Sequence, residues 1–285
     1  FRDSNYSPDF LFAGKKAAYM LEKEGGPVVD TVIAINQNQL KDFLEITGPL
    51  QVGQMQNKIT ADNYLPVLTY VIESKIWGKE DPKHILKVMV PEFKEEIMKT
   101  SNASKIMSVI YKAIQEKMIL AYSKDAMIEA LFDEFGMSGR VKKTEEKEDY
   151  LNVVNYSIGG NKTEPFIEEK ITHQTTIQKD GSLVDEVTVV RTHLFDKSAQ
   201  AKWNGIWESF GFDYKNIPGY IVDILGRGTN KMITRVFVPE KSSLIEVIGA
   251  KQEDVKIGFD SELGKTYFAF NISVAPGNSS SITIK

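Results

Sequence analysis

The spacing of the apolar residues changes once along this chain, and that change limits the possible folds more than any other feature. Up to Phe135 they recur at helical intervals: Phe10, Ala13, Ala17, Ala18 and Leu21, then Ile85, Val88 and Met89, then Ile106, Val109, Ile110 and Ile114. From Leu151 onward the pattern is short runs rich in β-branched and aromatic residues, broken by turn signals. The runs are 151–158, 167–178, 184–194, 231–238, 244–248, 267–274 and 281–285. Lys179-Asp180-Gly181 supplies a hairpin turn between two of them. The charge-rich stretch Arg140–Asp149 lies where the pattern switches. The expected organisation is an α/β domain over 1–140, a charged connector over 141–149, and an all-β, immunoglobulin-like sandwich over 150–285.

Within the first part, Ser7 reads as an N-cap with Pro8 at the first helical position, and this helix stops at Gly25-Gly26. Val28–Ile35 reads as a buried strand and Leu50–Val52 as a short one. Gly48-Pro49 ends the helix between them. Pro91 is expected to kink or break the helix opened by Asp81-Pro82, because it removes a hydrogen bond and clashes with the preceding turn. Ser123 reads as the cap of a helix closed by Gly136. Trp203–Phe212 reads as a helical or irregular insertion in the β half.

A chain of 285 residues without cysteine excludes a disulfide scaffold, a thiolate metal site and a cysteine nucleophile. The net charge of −4 argues against a general nucleic-acid binder, which needs a basic face to release counterions. The chain opens at Phe1 inside what reads as a structured motif, so a fragment is expected, with a membrane anchor upstream.

His84, His173 and His193 lack the paired spacing of a zinc motif. Gly159-Gly160-Asn161-Lys162-Thr163 reads either as part of a phosphate loop or as a tight turn between strands, and Gly226-Arg227-Gly228 either as an anion nest or as a hairpin tip. Tyr6, Phe10, Phe12 and Tyr19 could line a lipid channel or form core. Trp203 and Trp207, four apart, could stack on sugars or pack inside. Arg2 and Asp3 form the pair with the most chemistry: an arginine clamps a phosphate bidentately and a carboxylate holds a magnesium ion, or the two form a salt bridge ahead of the first helix.

Arg2-Asp3-Ser4-Asn5-Tyr6-Ser7-Pro8-Asp9-Phe10, Gly25-Gly26, Val29–Ile35 and Thr47–Val52, with Asp149-Tyr150-Leu151 and Asn155 through Lys162 later, resemble in their order an uncharacterised bacterial family of surface proteins, catalogued as a domain of unknown function. More distantly, residues 1 to about 135 resemble the LytR-CpsA-Psr domain, whose members move glycopolymers from a polyprenyl-diphosphate lipid onto the cell wall. That resemblance implies an α-β-α layered domain and an extracellular, membrane-anchored location. It also implies that Arg2 acts on the diphosphate and Asp3 near Mg2+, as catalytic residues. The residues alone imply no cofactor.

The chain departs from that family in Tyr70–Gly78, where several arginines would grip the diphosphate. Here the stretch offers only Lys75 as a ligand, and a lysine cannot reproduce the bidentate fork. The expected function is therefore a cell-surface scaffold or binding protein of a bacterial envelope whose partner is a cell-wall glycan. The alternative is a phosphotransferase that attaches a glycopolymer carried on a polyprenyl-diphosphate lipid.

Overall fold

The computed structural model describes residues 4–145, 148–157 and 160–285. Helices and strands are mixed, and the paired strands are antiparallel. The chain forms two compact units: Phe1–Lys142 with Ile206–Phe212, and Lys143–Gly205 with Asp213–Lys285. Among the described residues, no helix is long and apolar enough to cross a membrane.

The first unit holds α1 (Phe10–Lys23), β1 (Thr31–Ile35), α2 (Gln39–Thr47), α3 (Tyr64–Ser74), α4 (His84–Ile97), α5 (Ala103–Gln115), β2 (Ile119–Ser123) and α6 (Ala126–Glu134). Its two strands pair with Ile33 opposite Ala121. Helix α1 lies on one face of the pair, where Phe10, Ala13 and Tyr122 form a core with Leu11, Val32, Ala34 and Leu120. The approach is close because position 14 is glycine: a Cβ there would sit 2.5 Å from Tyr122 Cβ.

The cap of α1 is Asp9, not Ser7. The Asp9 carboxylate accepts from Leu11 N at 2.9 Å through one oxygen and from Val141 N at 3.0 Å through the other, while Ser7 Oγ accepts from Asp9 N. A carboxylate with two acceptor oxygens can cap a helix and hold a distant segment at once, which a hydroxyl does less well. Likewise Asp125 caps α6, taking the amides of Met127 and Ile128, and Ser123 Oγ accepts from Asp125 N.

The strand expected over Val28–Ile35 is shorter and is not buried. β1 has one paired neighbour, and Ile33 and Ile35 are 58% and 59% exposed on the face away from α1. The strand expected at Leu50–Val52 reduces to one bridge, Leu50 to Ile59, although Leu50, Val52 and Ile59 are all buried. Helix α4 runs on through Pro91. Pro91 and Lys87 are exposed, so water can reach the Lys87 carbonyl whose partner N–H is missing. Trp207, Phe210 and Phe212 are part of this unit: Tyr70 stacks on Phe212 at 4.7 Å and 3° and lies 5.2 Å from the Trp207 ring, whose Nε1–H donates to Pro66 O at 2.9 Å.

The second unit holds β3 (Asn152–Tyr156), β4 (Ile167–Ile177), β5 (Leu183–His193), α7 (Lys197–Ser209, its last four residues counted with the first unit), β6 (Asn230–Val238), β7 (Val247–Ile248), β8 (Lys256–Asp260), β9 (Lys265–Val274) and β10 (Ser279–Ile284). Two four-stranded sheets, ordered β4-β5-β10-β7 and β3-β6-β9-β8, share one core. Val187, Val189, Ile282 and Ile284 come from one sheet, and Met232, Val236, Phe268, Phe270 and Ile272 from the other. Gly181, at φ +84°, turns the β4–β5 hairpin where glycine was expected to supply a positive φ. Strand β8 was not legible in the sequence: its apolar Ile257 and Phe259 are exposed, so it carries no core-facing alternation.

Candidate functional site

Arg2 and Asp3, the residues assigned to catalysis and, for Asp3, to metal, lie outside the described residues, as do Ile158 and Gly159 at the start of the glycine segment. Lys75 closes α3 in a left-handed conformation, φ 55°, with its side chain exposed. Beside it, Tyr70 and Val71 are buried and belong to the packing of the unit.

The two glycine segments meet in the second unit, where three of their backbone amides are bonded within the fold. Lys162 N donates to Ile224 O at 2.8 Å, Gly228 N to Asp223 O at 2.9 Å, and Thr163 N to Asn161 Oδ1 at 3.3 Å. Arg227 reaches back to Asp223. The turn reading accounts for these atoms. Trp203 and Trp207 are both buried, which removes the exposed stacking face. The first-helix aromatics divide: Phe10 is core, whereas Tyr6 and Tyr19 are exposed.

The concentrated polar chemistry of the described residues lies on one face of the β4–β5 hairpin, buried at Val187, Val189, Arg191 and His193 and open to solvent at Ile171, His173, Thr175 and Ile177. Cross-strand partners share a face, so the register places six pairs there in order from the end away from the turn: Ile167 with His193, Glu169 with Arg191, Ile171 with Val189, His173 with Val187, Thr175 with Asp185, and Ile177 with Leu183. Apolar pairs are interrupted twice.

The first interruption is a buried ion network. The Arg191 side chain is 2% exposed. Its Nη1 donates to Glu169, and its Nη2 donates to both oxygens of Glu164 at 2.9 Å. Asn155 Nδ2 donates to both oxygens of Glu169 at 2.9 and 2.7 Å, and Thr234 Oγ1 donates to Asn155 Oδ1 at 2.7 Å. Asn230 Nδ2 donates to Glu164 at 2.6 Å and to Thr163 Oγ1 at 3.0 Å. The network thus joins β3, β4, β5, β6 and the segment 163–164. Arg191 Nε has no partner among the described residues. The chemistry is that of a clamp: one delocalised cation between two carboxylates, each further held by an amide.

His193 lies beside it, fully buried. Gly228 O can only accept, so His193 Nε2 carries the proton and donates at 3.1 Å, while Nδ1 accepts from Phe195 N at 3.2 Å. Burial holds its pKa below the ordinary histidine value, against the opposing pull of the Gly228 carbonyl and Glu164. Below about pH 6.5 the unfolded chain takes up a proton that the folded chain refuses, so stability falls on acidification, by at most about 1.4 kcal/mol per pH unit, until folded His193 titrates too. Above that pH this contribution is constant. Urea melts at a series of pH values should give a shallower acid limb for His193→Gln than for the parent; parallel limbs would refute the assignment.

The second interruption is His173, Thr175 and Asp185. Asp185 Oδ1 lies 3.1 Å from His173 Nε2 and accepts from Thr175 Oγ1 at 2.5 Å. Asp149, just ahead of β3, joins them: one ligand atom from each of Asp149, His173 and Asp185 falls within 4.8 Å of the others. An imidazole and two carboxylates are a donor set that could hold a metal ion.

None of Glu164, Glu169, Arg191 or Asn230 was singled out from the sequence. One signal was available: Val187, Val189, Arg191 and His193 alternate along one strand, which places a guanidinium in line with two core valines.

A family model described as Protein of unknown function (DUF4012) matches residues 1–71. No curated protein and no solved structure matches the chain. The matched span covers α1, β1, α2 and most of α3, and it stops short of Lys75. The comparisons give no support for a likeness to the LytR-CpsA-Psr domain.

Proposed function

We propose that this chain is a binding or scaffold protein on the outer face of a bacterial envelope, and that it does not carry out glycopolymer transfer. In this reading the first unit is a LytR-CpsA-Psr-like α/β scaffold. The second is an immunoglobulin-like sandwich that acts as a spacer or adhesion module. The partner is a cell-wall glycan.

One observation carries the reading. The stretch Tyr70–Gly78, where a transferase of that type would grip a diphosphate, serves packing here. Tyr70 and Val71 are buried, Tyr70 stacks on Phe212, and the only basic residue, Lys75, ends a helix in the open. A lone exposed ammonium is a hydrated point charge and a weak diphosphate clamp. The two facing four-stranded sheets support the sandwich assignment.

Two measurements test it. The protein should sediment with insoluble cell-wall glycan. It should also show no thermal shift with a short polyprenyl diphosphate and Mg2+. A ligand at a hundred times its Kd would add about 2.7 kcal/mol, or roughly 5–10 °C in a domain of this size. Such a shift, abolished by Arg2→Ala, would overturn the scaffold reading in favour of the transferase. Absence of glycan binding would remove the proposed partner.

A further inference from the structure

From the convergence of Asp149, His173 and Asp185 we infer a divalent transition-metal site, at the rim where the two sheets of the second unit face each other. The argument begins with the strand pattern. One face of the β4–β5 hairpin carries Ile171, Ile177, Leu183, Val187 and Val189, of which the two valines are buried, and His173, Thr175 and Asp185 stand among them toward its solvent-open end. The Arg191 interruption of the same face is answered by its own carboxylates and amides. The His173 interruption is answered by a second acid brought from elsewhere in the chain.

That acid is Asp149. Leu151 and Val153 pack against the shared core and Asn155 bonds Glu169, so alternate residues from 149 to 155 follow the same face of the hairpin from one polar interruption to the other. One Asp149 oxygen accepts from Tyr150 N at 2.7 Å. Two carboxylates this close repel each other, and within the cluster the His173 imidazole and the Thr175 hydroxyl offset them at Asp185. A cation among the three relieves the repulsion and satisfies all of the donors.

The donor set selects the metal. Mg2+ and Ca2+ take oxygen ligands, whereas one imidazole nitrogen with two carboxylates suits Zn2+ or Mn2+. His173, Asp149 and Asp185 are all partly open to solvent, which leaves room for water to complete the coordination. Bound metal would pin the chain ahead of β3 to the hairpin.

The test is calorimetric titration of the whole chain with ZnCl2 and with MnCl2, with MgCl2 and CaCl2 as controls. The expected result is one saturable site for Zn2+ or Mn2+. Even loss of an outer partner of a metal ligand costs about 10–100-fold in affinity, so His173→Ala and Asp185→Asn should each weaken binding by at least about 10-fold. Asp149→Asn, which lies outside any strand, should do the same and guards against a strand variant that fails to fold. His84→Ala removes the exposed imidazole 3.5 Å from Asp81 and should leave binding unchanged. No saturable binding, binding that survives His173→Ala and Asp149→Asn, or binding lost in His84→Ala would each overturn the proposal. None of these outcomes bears on glycan binding, so the metal site and the scaffold reading stand or fall separately.

Discussion

Replacing Arg191 with alanine should lower the unfolding free energy by about 3–5 kcal/mol, the usual result of removing one partner from a buried ion pair. The asymmetry of the network explains the size. Arg191 is sealed from water, Glu169 retains 23% of its side-chain exposure and Glu164 retains 46%. Without the guanidinium, Glu164 can turn to solvent. Among the described residues, Glu169 keeps the uncharged Asn155 amide as its hydrogen-bond donor, and its charge has lost the guanidinium that faced it. Glu164→Gln should therefore cost much less than Arg191→Ala, because a half-exposed partner contributes little beyond its hydrogen bonds. Arg191→Met with Glu169→Gln should cost less than Arg191→Met alone, because an uncharged pair leaves no stranded carboxylate. Urea unfolding of the four variants reads this directly. A change below about 1 kcal/mol for Arg191→Ala would mean that the side chain is hydrated in solution, and the clamp would have to be abandoned.

Trp207→Ala should be of similar size, about 3–5 kcal/mol, for a different reason. The ring is buried against Tyr70 and its N–H satisfies the Pro66 carbonyl. Truncation removes apolar contact, opens a cavity and orphans an acceptor. Trp207→Phe separates these effects. It keeps most of the ring and loses the hydrogen bond, so about 1–3 kcal/mol is expected. The pair also decides between two meanings of a tryptophan in a protein proposed to bind glycans. If Trp207 formed a stacking surface, its loss would reduce sedimentation with cell-wall glycan and leave stability alone. The packing seen here demands the reverse: lost stability, with retention unchanged once the variant is kept folded at low temperature.

Much of the local structure could be read ahead of time. The helical stripes of α4 and α5 and the hairpin turn at Gly181 depend on neighbours a few residues apart. The errors share a cause. Ser7 and Ser123 look like caps, but Asp9 and Asp125 cap because a carboxylate also serves second donors. Val28–Ile35 looks buried because its composition suits a strand, yet composition does not say how many neighbours a strand will have. Strand β8 was missed because it shows its apolar residues to solvent. In the candidate sites, the residues singled out for a ligand were chosen by type and by position near a motif. The polar clusters the fold builds use residues that look ordinary in isolation, such as Glu169, Asn230 and Asp185.

By itself, then, the amino-acid order determined the two folding alphabets of this chain, helix-rich before the charged connector and strand-rich after it, because periodicity and turn chemistry are set over a few residues. It also determined that the middle of Tyr70–Gly78 could not supply an arginine fork. Only the tertiary structure decided that Trp207 packs with Tyr70, that Arg191 lies between two acids, and that Asp149 meets His173 and Asp185. Those outcomes depend on sheet order and register. A one-residue slip in the β4–β5 pairing would turn His173 and Asp185 onto opposite faces, and nothing local to either residue forbids it. Val189 and Val187, opposite Ile171 and His173, prevent that slip because both are buried against the second sheet, so the polar clusters stand where the packing of distant residues places them.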